Sequence, residues 1–347
     1  MHPQEDFNPE AFKFRDLHPD VSIGTASDRY AGWIGQVYSA DRYANRIRSR
    51  QNKVGGRSFT ERVLPVESVE EYFEHFGVLE LDFTFYRLLL EVDGRPSQNY
   101  HVLQNYRQHL GEGDPLFLKV PQIIFAQKLR RSGKFIANPD YLNAEVFADR
   151  FYVPAVELLG RHIRGFLFEQ EYQRKQDRPS PEKLAEDMDR FFESIPRDDR
   201  YHMEIRTEPL LTPSLFSVMR RHGVGQVLSH WTWLPSLRRQ FALSDHTFTN
   251  RGGDSILRLL TPRGMRYEDA YAKAHPFDRL VEGMATPGMI EDTVGLMEQG
   301  IEKKARVNVI VNNRASGNAP LTARRIVSRF LAARQQADKP DTSPSKR

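Results

Sequence analysis

Polar and apolar residues alternate along one short segment, and the alternation puts two carboxylates on the same side of a predicted β-strand. In Val78–Phe85, the polar residues Glu80, Asp82 and Thr84 alternate with leucine and phenylalanine. Successive side chains of a strand point to opposite faces, so the apolar face packs on neighbouring elements and the polar face lies opposite. Paired carboxylates on such a face suit general acid–base chemistry. We predict a ligand site here.

Charged residues of other strand-like segments belong to the same predicted interior. Glu204 and Arg206 share one face of Tyr201–Thr207. Single cations, Lys119 and Arg258, occupy interior positions of two further segments. The converging set is Glu80, Asp82, Glu204, Lys119, Arg206 and Arg258. Burying an ion costs several kcal/mol unless it is paired, so these charges either neutralise one another or serve a ligand.

The chemistry that this set favours is proton transfer. A carboxylic acid or an amine in buried, charged surroundings is a candidate general base near neutral pH. The predicted catalytic residues are Glu80, Glu204 and Lys119, and the predicted substrate-binding residues include Asp82, Thr84, Arg206 and Arg258. The alternative is a self-neutralised salt-bridge network, and the residue types leave both interpretations open.

The segment after the last strand-like run indicates a second type of chemistry, the binding of an anion. Asn312, Asn313 and Gly317 belong to a small-residue loop that leads into a predicted helix. Free backbone amides and a helix N-terminus form an anion site, and loops after the seventh and eighth strands of α/β barrels frequently hold phosphate. We predict that these three residues bind substrate beside Arg258. The alternative is a plain turn capped by Asn318.

Three further side chains are candidates for the ligand site. Tyr86 offers a ring for stacking, Gln170 ends the fourth strand-like run, and His230 precedes Trp231 and offers an acid–base group. A packed aromatic loop is the alternative for the last of these. The sequence lacks an HExxH spacing, a phosphate-binding loop and a dinucleotide-binding glycine motif, and three cations oppose a metal among the carboxylates. We therefore predict neither a metal nor a cofactor.

Eight strand-like segments alternate with helical ones, which is typical of parallel βαβ units. The predicted strands are Val21–Thr25, Val78–Phe85, Leu116–Val120, His162–Gln170, Tyr201–Thr207, Gly225–His230, Ser255–Leu260 and Arg306–Asn313. The predicted helices include Val66–Phe76, Tyr141–Leu159, Pro181–Ile195, Pro213–His222 and Leu321–Ala333. Eight units in 347 residues favour an α/β fold closed into a TIM-type barrel, whose active face lies at the C-terminal ends of the strands.

The barrel accounts for one domain, residues 20–334, and leaves both termini outside it. Residues 1–19 form a polar N-terminal extension, and residues 335–347 are predicted to be a disordered tail. Three polar, glycine-containing insertions are predicted to be loops: Val92–Asp114, Ser244–Asp254 and Thr261–His275.

Composition restricts the class of protein. The 347 residues contain no cysteine and no apolar run of the roughly 20 residues that a membrane helix needs, so we predict a cytoplasmic protein without a membrane partner. The net charge is +4, and basic residues concentrate between Arg42 and Arg62 and from Arg324 to the end. Such patches bind phosphate backbones, but exposed helix faces are often this basic.

Several of these segments together carry a resemblance to a known family. They are Ile23-Gly24-Thr25, Gly32-Trp33, Glu80-Leu81-Asp82-Phe83-Thr84-Phe85-Tyr86-Arg87, Leu118-Lys119-Val120-Pro121, Glu204-Ile205-Arg206, Arg258-Leu259, and Val311-Asn312-Asn313 with Gly317, Ala319 and Pro320. In this order, over about residues 20–333, the sequence resembles the YecE-like proteins (domain of unknown function 72). The resemblance implies a TIM-type barrel and transfers no reaction.

The sequence departs from that family at three places. Asp82 stands where the family usually has asparagine, Leu260 where it has histidine, and Ala26-Ser27-Asp28 where it has Gly-Trp. The resemblance implies that the missing histidine removes one proton carrier or ligand.

The hypothesis that follows is an enzyme of hydrolase or lyase/isomerase type acting on a small anionic or phosphorylated molecule at the barrel mouth. Arg206, Arg258, Asn312 and the 313–317 loop would hold the anion, and Glu80, Glu204 and Lys119 would move protons. One alternative is a nucleic-acid-binding or processing protein that uses the basic patches. Another is a non-catalytic binding scaffold. The oligomeric state does not follow from the sequence.

Overall fold

Eight parallel strands close into a barrel in the computed structural model, which describes residues 9–131 and 134–337. The strands in the described ranges are β1 Val21–Ala26, β2 Arg48–Val54, β3 Arg57–Val63, β4 Val78–Leu81, β5 Leu116–Lys119, β6 Lys128–Arg131, β7 Lys134–Ala137, β8 Ile163–Gln170, β9 Tyr201–Ile205, β10 Gly225–His230, β11 Asp254–Leu259 and β12 Arg306–Val311. The barrel order is β1-β12-β11-β10-β9-β8-β5-β4. All eight predicted strands are present, and the predicted TIM-type barrel is confirmed.

Helices connect the strands and cover the outside of the barrel. They are α1 Ala40–Tyr43, α2 Val69–His75, α3 Gln98–His109, α4 Gln122–Phe125, α5 Ala144–Phe147, α6 Val153–Leu159, α7 Pro181–Ser194, α8 Pro213–His222, α9 Leu237–Leu243, α10 Tyr267–Ala274, α11 Pro287–Glu302 and α12 Ala319–Ala337. A π-helical turn, Ala148–Tyr152, joins α5 to α6. Among the described residues, no helix combines the length and hydropathy required to cross a bilayer.

The start of α7 shows how local sequence places these elements. Ser180 Oγ accepts a hydrogen bond from the Lys183 backbone N–H at 3.1 Å, and Pro181 takes the first helical position, where its missing N–H is not needed. Lys183 pairs with Asp187 one turn later, as the i,i+4 spacing predicts.

The barrel interior is layered. Seven residues form an apolar layer: Ala26, Val78, Phe117, Leu167, Val227, Ile256 and Ile310. Four ionic side chains lie two residues further along their strands, toward the C-terminal mouth: Glu80, Lys119, Glu169 and Arg258. Side chains two residues apart on a strand point to the same face. In four strands the residue that follows an apolar-layer residue by two is therefore a charged residue in the next layer toward the mouth.

Two predictions about secondary structure are wrong at the barrel mouth. The second strand ends at Leu81, and Asp82–Tyr86 forms a 3₁₀-helix where a strand was predicted. Thr84 favours this turn, because its single hydroxyl proton lies within hydrogen-bond distance of two carbonyl oxygens, those of Leu81 (3.0 Å) and Lys119 (2.7 Å). The insertions Val92–Asp114 and Thr261–His275 are not plain loops, since they contain α3 and α10.

Two antiparallel hairpins, β2–β3 and β6–β7, were not predicted. Each is inserted after a barrel strand. Polar residues dominate β2–β3, and β6–β7 has as many cations as apolar residues, so neither shows the apolar alternation by which the barrel strands were recognised.

Part of the N-terminal extension belongs to the core. Phe12 and Phe14 are buried, and the Phe14 ring centroid lies 5.1 Å from that of Phe76, so this part of the extension is apolar rather than polar. Helix α12 continues through Ala337, three residues into the segment predicted to be disordered. Residues 1–8 and 338–347 lie outside the described residues.

Candidate functional site

Arg258 is the centre of an ionic network in the upper layer of the barrel. Its Nε and Nη2 donate to the two oxygens of Glu80 at 2.8 and 2.6 Å, a bidentate arrangement. Its Nη1 contacts Glu204 and lies 3.4 Å from Glu169. Arg258 is 2 % exposed, and Glu80 and Glu204 are fully buried.

Two further cations complete the network around Glu169. Arg206 Nη1 lies 2.6 Å from Glu169 Oε1, and its Nη2 lies 3.3 Å from Glu204 Oε2. Lys119 Nζ contacts the other oxygen of Glu169. The network therefore contains three carboxylates and three cations. These charges pair with one another, as in the self-neutralised network that was one of the two interpretations of the sequence. The third carboxylate of the network is Glu169, where Asp82 was predicted.

Pairing and burial act in opposite directions on the pKa values. Burial raises the pKa of Glu80, and the positive charges of Arg258 and Lys119 offset only part of this effect. Burial would also raise the pKa of Glu169, but Arg206, Lys119 and Arg258 outweigh it and hold that pKa well below the usual range. The pKa of Arg258 is raised, because Glu204 and Glu80 outweigh the loss of hydration. Glu169 is therefore ionised at neutral pH, whereas Glu80 is the carboxyl whose proton affinity burial increases.

A cavity of about 190 Å³ lies above this network at the C-terminal mouth. The network forms its floor, and aromatic rings form its walls: Phe85, Tyr86, Trp231 and Tyr267. Three cations lie over these rings: Lys119 Nζ is 4.0 Å from the centre of Phe85, and the guanidinium carbons of Arg206 and Arg314 are 5.2 and 4.4 Å from Trp231 and Tyr267, respectively. Such cation–π contacts hold the polar heads at the cavity surface.

Two charges of the cavity lie outside the network. Asp82 is half-buried and accepts a hydrogen bond from Ser27 Oγ at 2.7 Å, and no cation within the described ranges forms a salt bridge with it. Arg314 has no acidic partner among the described residues, and its buried Nε has no hydrogen-bond acceptor there. The cavity therefore presents one carboxylate and one guanidinium that the protein does not neutralise.

A second cavity of about 460 Å³ adjoins the first and shares Asp82 with it. Asp28 lines this cavity and is buried; its Oδ1 accepts a hydrogen bond from the Tyr106 hydroxyl at 2.8 Å. Its Oδ2 has no partner among the described residues. Burial raises the pKa of Asp28 to about 6.

Most predicted site residues meet at the first cavity. Seven of them line it: Glu80, Asp82, Tyr86, Lys119, Arg206, Arg258 and Asn312. Glu204 lies beneath its floor, bound to Arg258 and to the hydroxyl of Ser229. Leu260 also lines the cavity, at the position where the YecE-like proteins that the sequence resembles usually have histidine.

Three predicted residues face elsewhere. Thr84 is buried and donates to backbone carbonyls, so it is not available to a ligand. Gln170 shares the outer face of β8 with Phe166 and Phe168, and its amide donates to Gln173. His230 is buried, its Nε2 lies 2.9 Å from Thr286 Oγ1, and burial lowers its pKa to about 4.

In the loop after β12, where an anion site was predicted, Asn313 and Gly317 use their polar groups within the protein. Asn313 Oδ1 accepts hydrogen bonds from Trp33 Nε1 (3.0 Å) and the Ala319 backbone N–H (2.8 Å). The Gly317 N–H donates to the Asn313 carbonyl, and Asn318 Oδ1 accepts from the N–H of Leu321 and caps α12. Asn313 and Gly317 are thus structural, as the capped-turn alternative required.

Replacing Asn313 by alanine is expected to lower the free energy of unfolding by about 2 kcal/mol, because the buried Trp33 and Ala319 donors lose their acceptor. Urea denaturation measures this change, with the exposed Asn45→Ala as a control that should stay within about 0.5 kcal/mol of the wild type. If Asn313→Ala left the stability unchanged and weakened phosphate binding, Asn313 would belong to an anion site and not to a structural turn.

Of the residues that line the cavity, sequence reasoning did not single out Phe85, Glu169 and Tyr267, and it included Arg314 only as part of the 313–317 loop. In β8 both faces are apolar, so the alternation that located Glu80 and Glu204 gives no direction there. The available signal was the layer spacing, since Glu169 lies two residues after Leu167. Phe85 was assigned to the outer face because the predicted strand Val78–Phe85 included it. Among the described residues, no cluster of three or more His, Asp or Glu side chains is arranged to hold a metal ion.

The chain is similar to a family described as a protein of unknown function, DUF72, whose profile matches residues 22–347. A crystal structure of a DUF72 family protein from Thermotoga maritima is 15% identical, with a TM-score of 0.52 over 90% of this chain and 99% of that chain. One from Enterococcus faecalis is 14% identical, with a TM-score of 0.50 over 94% and 99%. No curated protein matches the chain significantly. At these identities the solved structures support the fold alone.

Proposed function

This chain belongs to the DUF72 family, and we propose that its mouth cavity is the active site of an enzyme that acts on a small anionic molecule. One observation carries the proposal: the floor of the cavity is neutralised internally, while Asp82 and Arg314 remain as opposite charges without a salt bridge in the described part of the chain. An unneutralised pair at the C-terminal mouth of a barrel is typical of a catalytic position.

Arg314 is the group that would hold the anion. Its guanidinium lies over Tyr267 at the cavity wall, and its buried Nε–H is a hydrogen-bond donor without an acceptor among the described residues. At about 190 Å³ the cavity is smaller than the roughly 300–1,000 Å³ of drug-sized ligand sites, so it suits a phosphorylated sugar or a nucleotide fragment. The ring of such a molecule would lie against Tyr86 or Trp231.

Asp82 is the group that would transfer a proton. Glu80 and Glu204, the carboxylates first predicted for this role, both bind Arg258 and would keep that guanidinium in position. Within the described ranges, Ser27 is the one residue that donates a hydrogen bond to Asp82, and Asp82 lines both cavities. A carboxylate in this position serves hydrolysis as well as lyase or isomerase chemistry. Lys119, on the floor, would stabilise negative charge that develops on the substrate.

Thermal unfolding in the presence of inorganic phosphate, sugar phosphates and nucleoside monophosphates tests the proposal. At least one compound is expected to raise the Tm of the wild type, and Arg314→Gln is expected to weaken its binding at least about tenfold, the loss of one charge-assisted contact. Asp82→Asn should keep the binding and abolish turnover of that compound. Arg325→Gln, an exposed cation on α12, is the matched control and should change neither. The absence of stabilisation by every compound would reject the proposal.

A non-catalytic binding scaffold is the second candidate, because Glu80 and Glu204 are fully engaged and Leu260 lines the cavity. It expects the same binding and the same effect of Arg314→Gln. It differs in expecting no turnover of any stabilising compound by the wild type, so turnover by the wild type separates the two functions.

A further inference from the structure

Two segments concentrate positive charge at the mouth of the barrel. Residues 27–65, after β1, contain eight Arg and Lys against three acidic residues, an excess of five. Residues 120–143, after β5, contain four against one, an excess of three. Together they carry twice the net charge of +4 of the whole chain, so the remainder is net acidic. Both follow the C-terminal ends of strands, so this excess of positive charge lies at the mouth face. Part of it is paired with acids outside the two segments, since Arg42 pairs with Glu70, Arg46 with Glu67 and Lys128 with Asp177.

The β2–β3 hairpin shows how this charge is presented. One side packs on α10, where the Phe59 ring centroid lies 4.9 Å from that of Tyr271. Cross-strand partners lie on the same side of a hairpin, so Asn52 lies on the side of Phe59. The residue pairs that alternate with this pair lie on the other side, which faces solvent. That side is entirely polar, with two cations and no acid: Ser49, Gln51, Lys53, Ser58, Thr60 and Arg62.

A basic depression lies beside the hairpin. Its lining contains four cations: Arg57 of the hairpin, Arg263 and Arg266 of the segment between β11 and α10, and Lys273 of α10. Asp269 is the single acidic residue of this lining. Four cations against one carboxylate on an open surface fit phosphate groups of a chain that passes over it.

Exposed aromatic rings surround the same mouth. Within the described residues, the exposed aromatic side chains are Tyr86, Phe135, Tyr172, Trp233 and Tyr267. They follow five different barrel strands, β4, β5, β8, β10 and β11, so they are spread around the ring of strand ends. Phe135 is 71 % and Tyr86 68 % exposed. Rings of this size are ordinarily buried, and their placement on one face indicates a partner with flat surfaces to cover them.

We propose that this face binds a single-stranded nucleic acid, with phosphates on the hairpin cations and bases on the exposed rings. Positive grooves interleaved with aromatic platforms bind single strands, because only unpaired bases expose faces for stacking. An anionic lipid surface would also attract the cations. Although the rings of Tyr172 and Trp233 lie 6.0 Å apart, the exposed rings follow five different strands around the mouth and do not form the continuous apolar face that insertion requires. The proposal goes beyond the reaction in the cavity and does not depend on it.

Fluorescence anisotropy with a labelled RNA of about 12 nucleotides, the DNA of the same sequence and its duplex tests the proposal. Either single strand is expected to bind at least about tenfold more tightly than the duplex, with an affinity that falls steeply with salt. Equal binding of the duplex, or binding of phosphatidylserine vesicles without binding of either single strand, would overturn it.

Matched variants separate the mouth face from charge in general. Lys53→Glu/Arg57→Glu/Arg62→Glu is expected to weaken binding at least about thirtyfold and to reduce the slope of log Kd against log salt by about 2. Lys303→Glu/Arg325→Glu/Arg329→Glu makes the same change in net charge at exposed positions, one just after α11 and two on α12, and should weaken binding less than about threefold. An equal effect of both triple variants would reject the site.

The stacking part of the proposal has its own test. Phe135→Ala and Trp233→Ala are each expected to weaken binding about fivefold or more, whereas Leu331→Ala, at an exposed apolar residue on α12, should have no effect. Circular dichroism checks that each variant is folded. Unchanged affinity in both aromatic variants would reject the stacking contacts.

Discussion

Replacing Arg258 by alanine is expected to lower the free energy of unfolding by about 3–5 kcal/mol, the loss that follows when one partner of a buried ionic network is removed. The guanidinium holds Glu80 through two hydrogen bonds and also contacts Glu204, and both carboxylates are fully buried. Without it, three carboxylates would remain with two cations in the upper layer of the barrel. Urea denaturation at neutral pH measures the loss.

The reason for this loss can be separated from simple loss of packing. Arg258→Met with Glu80→Gln removes one charge of each sign and leaves a balanced network, so it is expected to recover most of the stability, to within about 2 kcal/mol of the wild type. The loss in Arg258→Ala should also shrink as the pH falls and the buried carboxyls take up protons. A stability within about 1 kcal/mol of the wild type for the alanine variant would contradict the network that the structure shows.

Replacing Asp28 by asparagine is expected to stabilise the protein increasingly as the pH rises from about 4 to about 7. In the folded protein burial raises the pKa of this carboxyl from 3.8 to about 6, so the folded state binds the proton more tightly than the unfolded state. The stability that a raised pKa contributes is complete below the unfolded value and is lost as the pH rises through the folded value. The variant lacks this loss, and the difference in the free energy of unfolding between variant and wild type should grow by about 3 kcal/mol over this range.

Difference curves between variant and wild type remove the contributions of all other titrating groups. Asparagine keeps an acceptor for the Tyr106 hydroxyl, so the bond at 2.8 Å is retained. Tyr106→Phe removes the hydrogen-bond donor that favours the ionised form of Asp28. The stability of this variant should therefore depend more strongly on pH than that of the wild type. Parallel stability curves for Asp28→Asn and the wild type would show that the carboxyl is not perturbed.

The barrel and much of its ionic layer follow from local pattern. The alternation of period two in Val78–Leu81 and Tyr201–Ile205 was sufficient to predict that Glu80 and Glu204 point inward, because one face of each strand is apolar and must meet the helices. The alternation of strands with helices was sufficient to predict closure into a barrel, which the eight-stranded order confirms.

Local pattern misled where a strand is apolar on both faces or where a side chain bonds to the backbone. Phe166, Leu167 and Phe168 give β8 no distinguishable sides, so Gln170 was chosen in place of Glu169. The hydroxyl of Thr84 lies 2.7 Å from the carbonyl oxygen of Lys119, 35 residues away in the chain, and no spacing near Thr84 predicts that partner.

Which charge neutralises which is the part that no stretch of sequence encodes. Arg258 and Glu80 are 178 residues apart and meet only because the barrel brings β11 and β4 to one interior. Periodicity reports the direction of a side chain relative to its own strand, since it depends on neighbouring residues. The partner of that side chain depends on closure of the whole barrel, and so does the identity of the two charges, Asp82 and Arg314, that remain for a ligand.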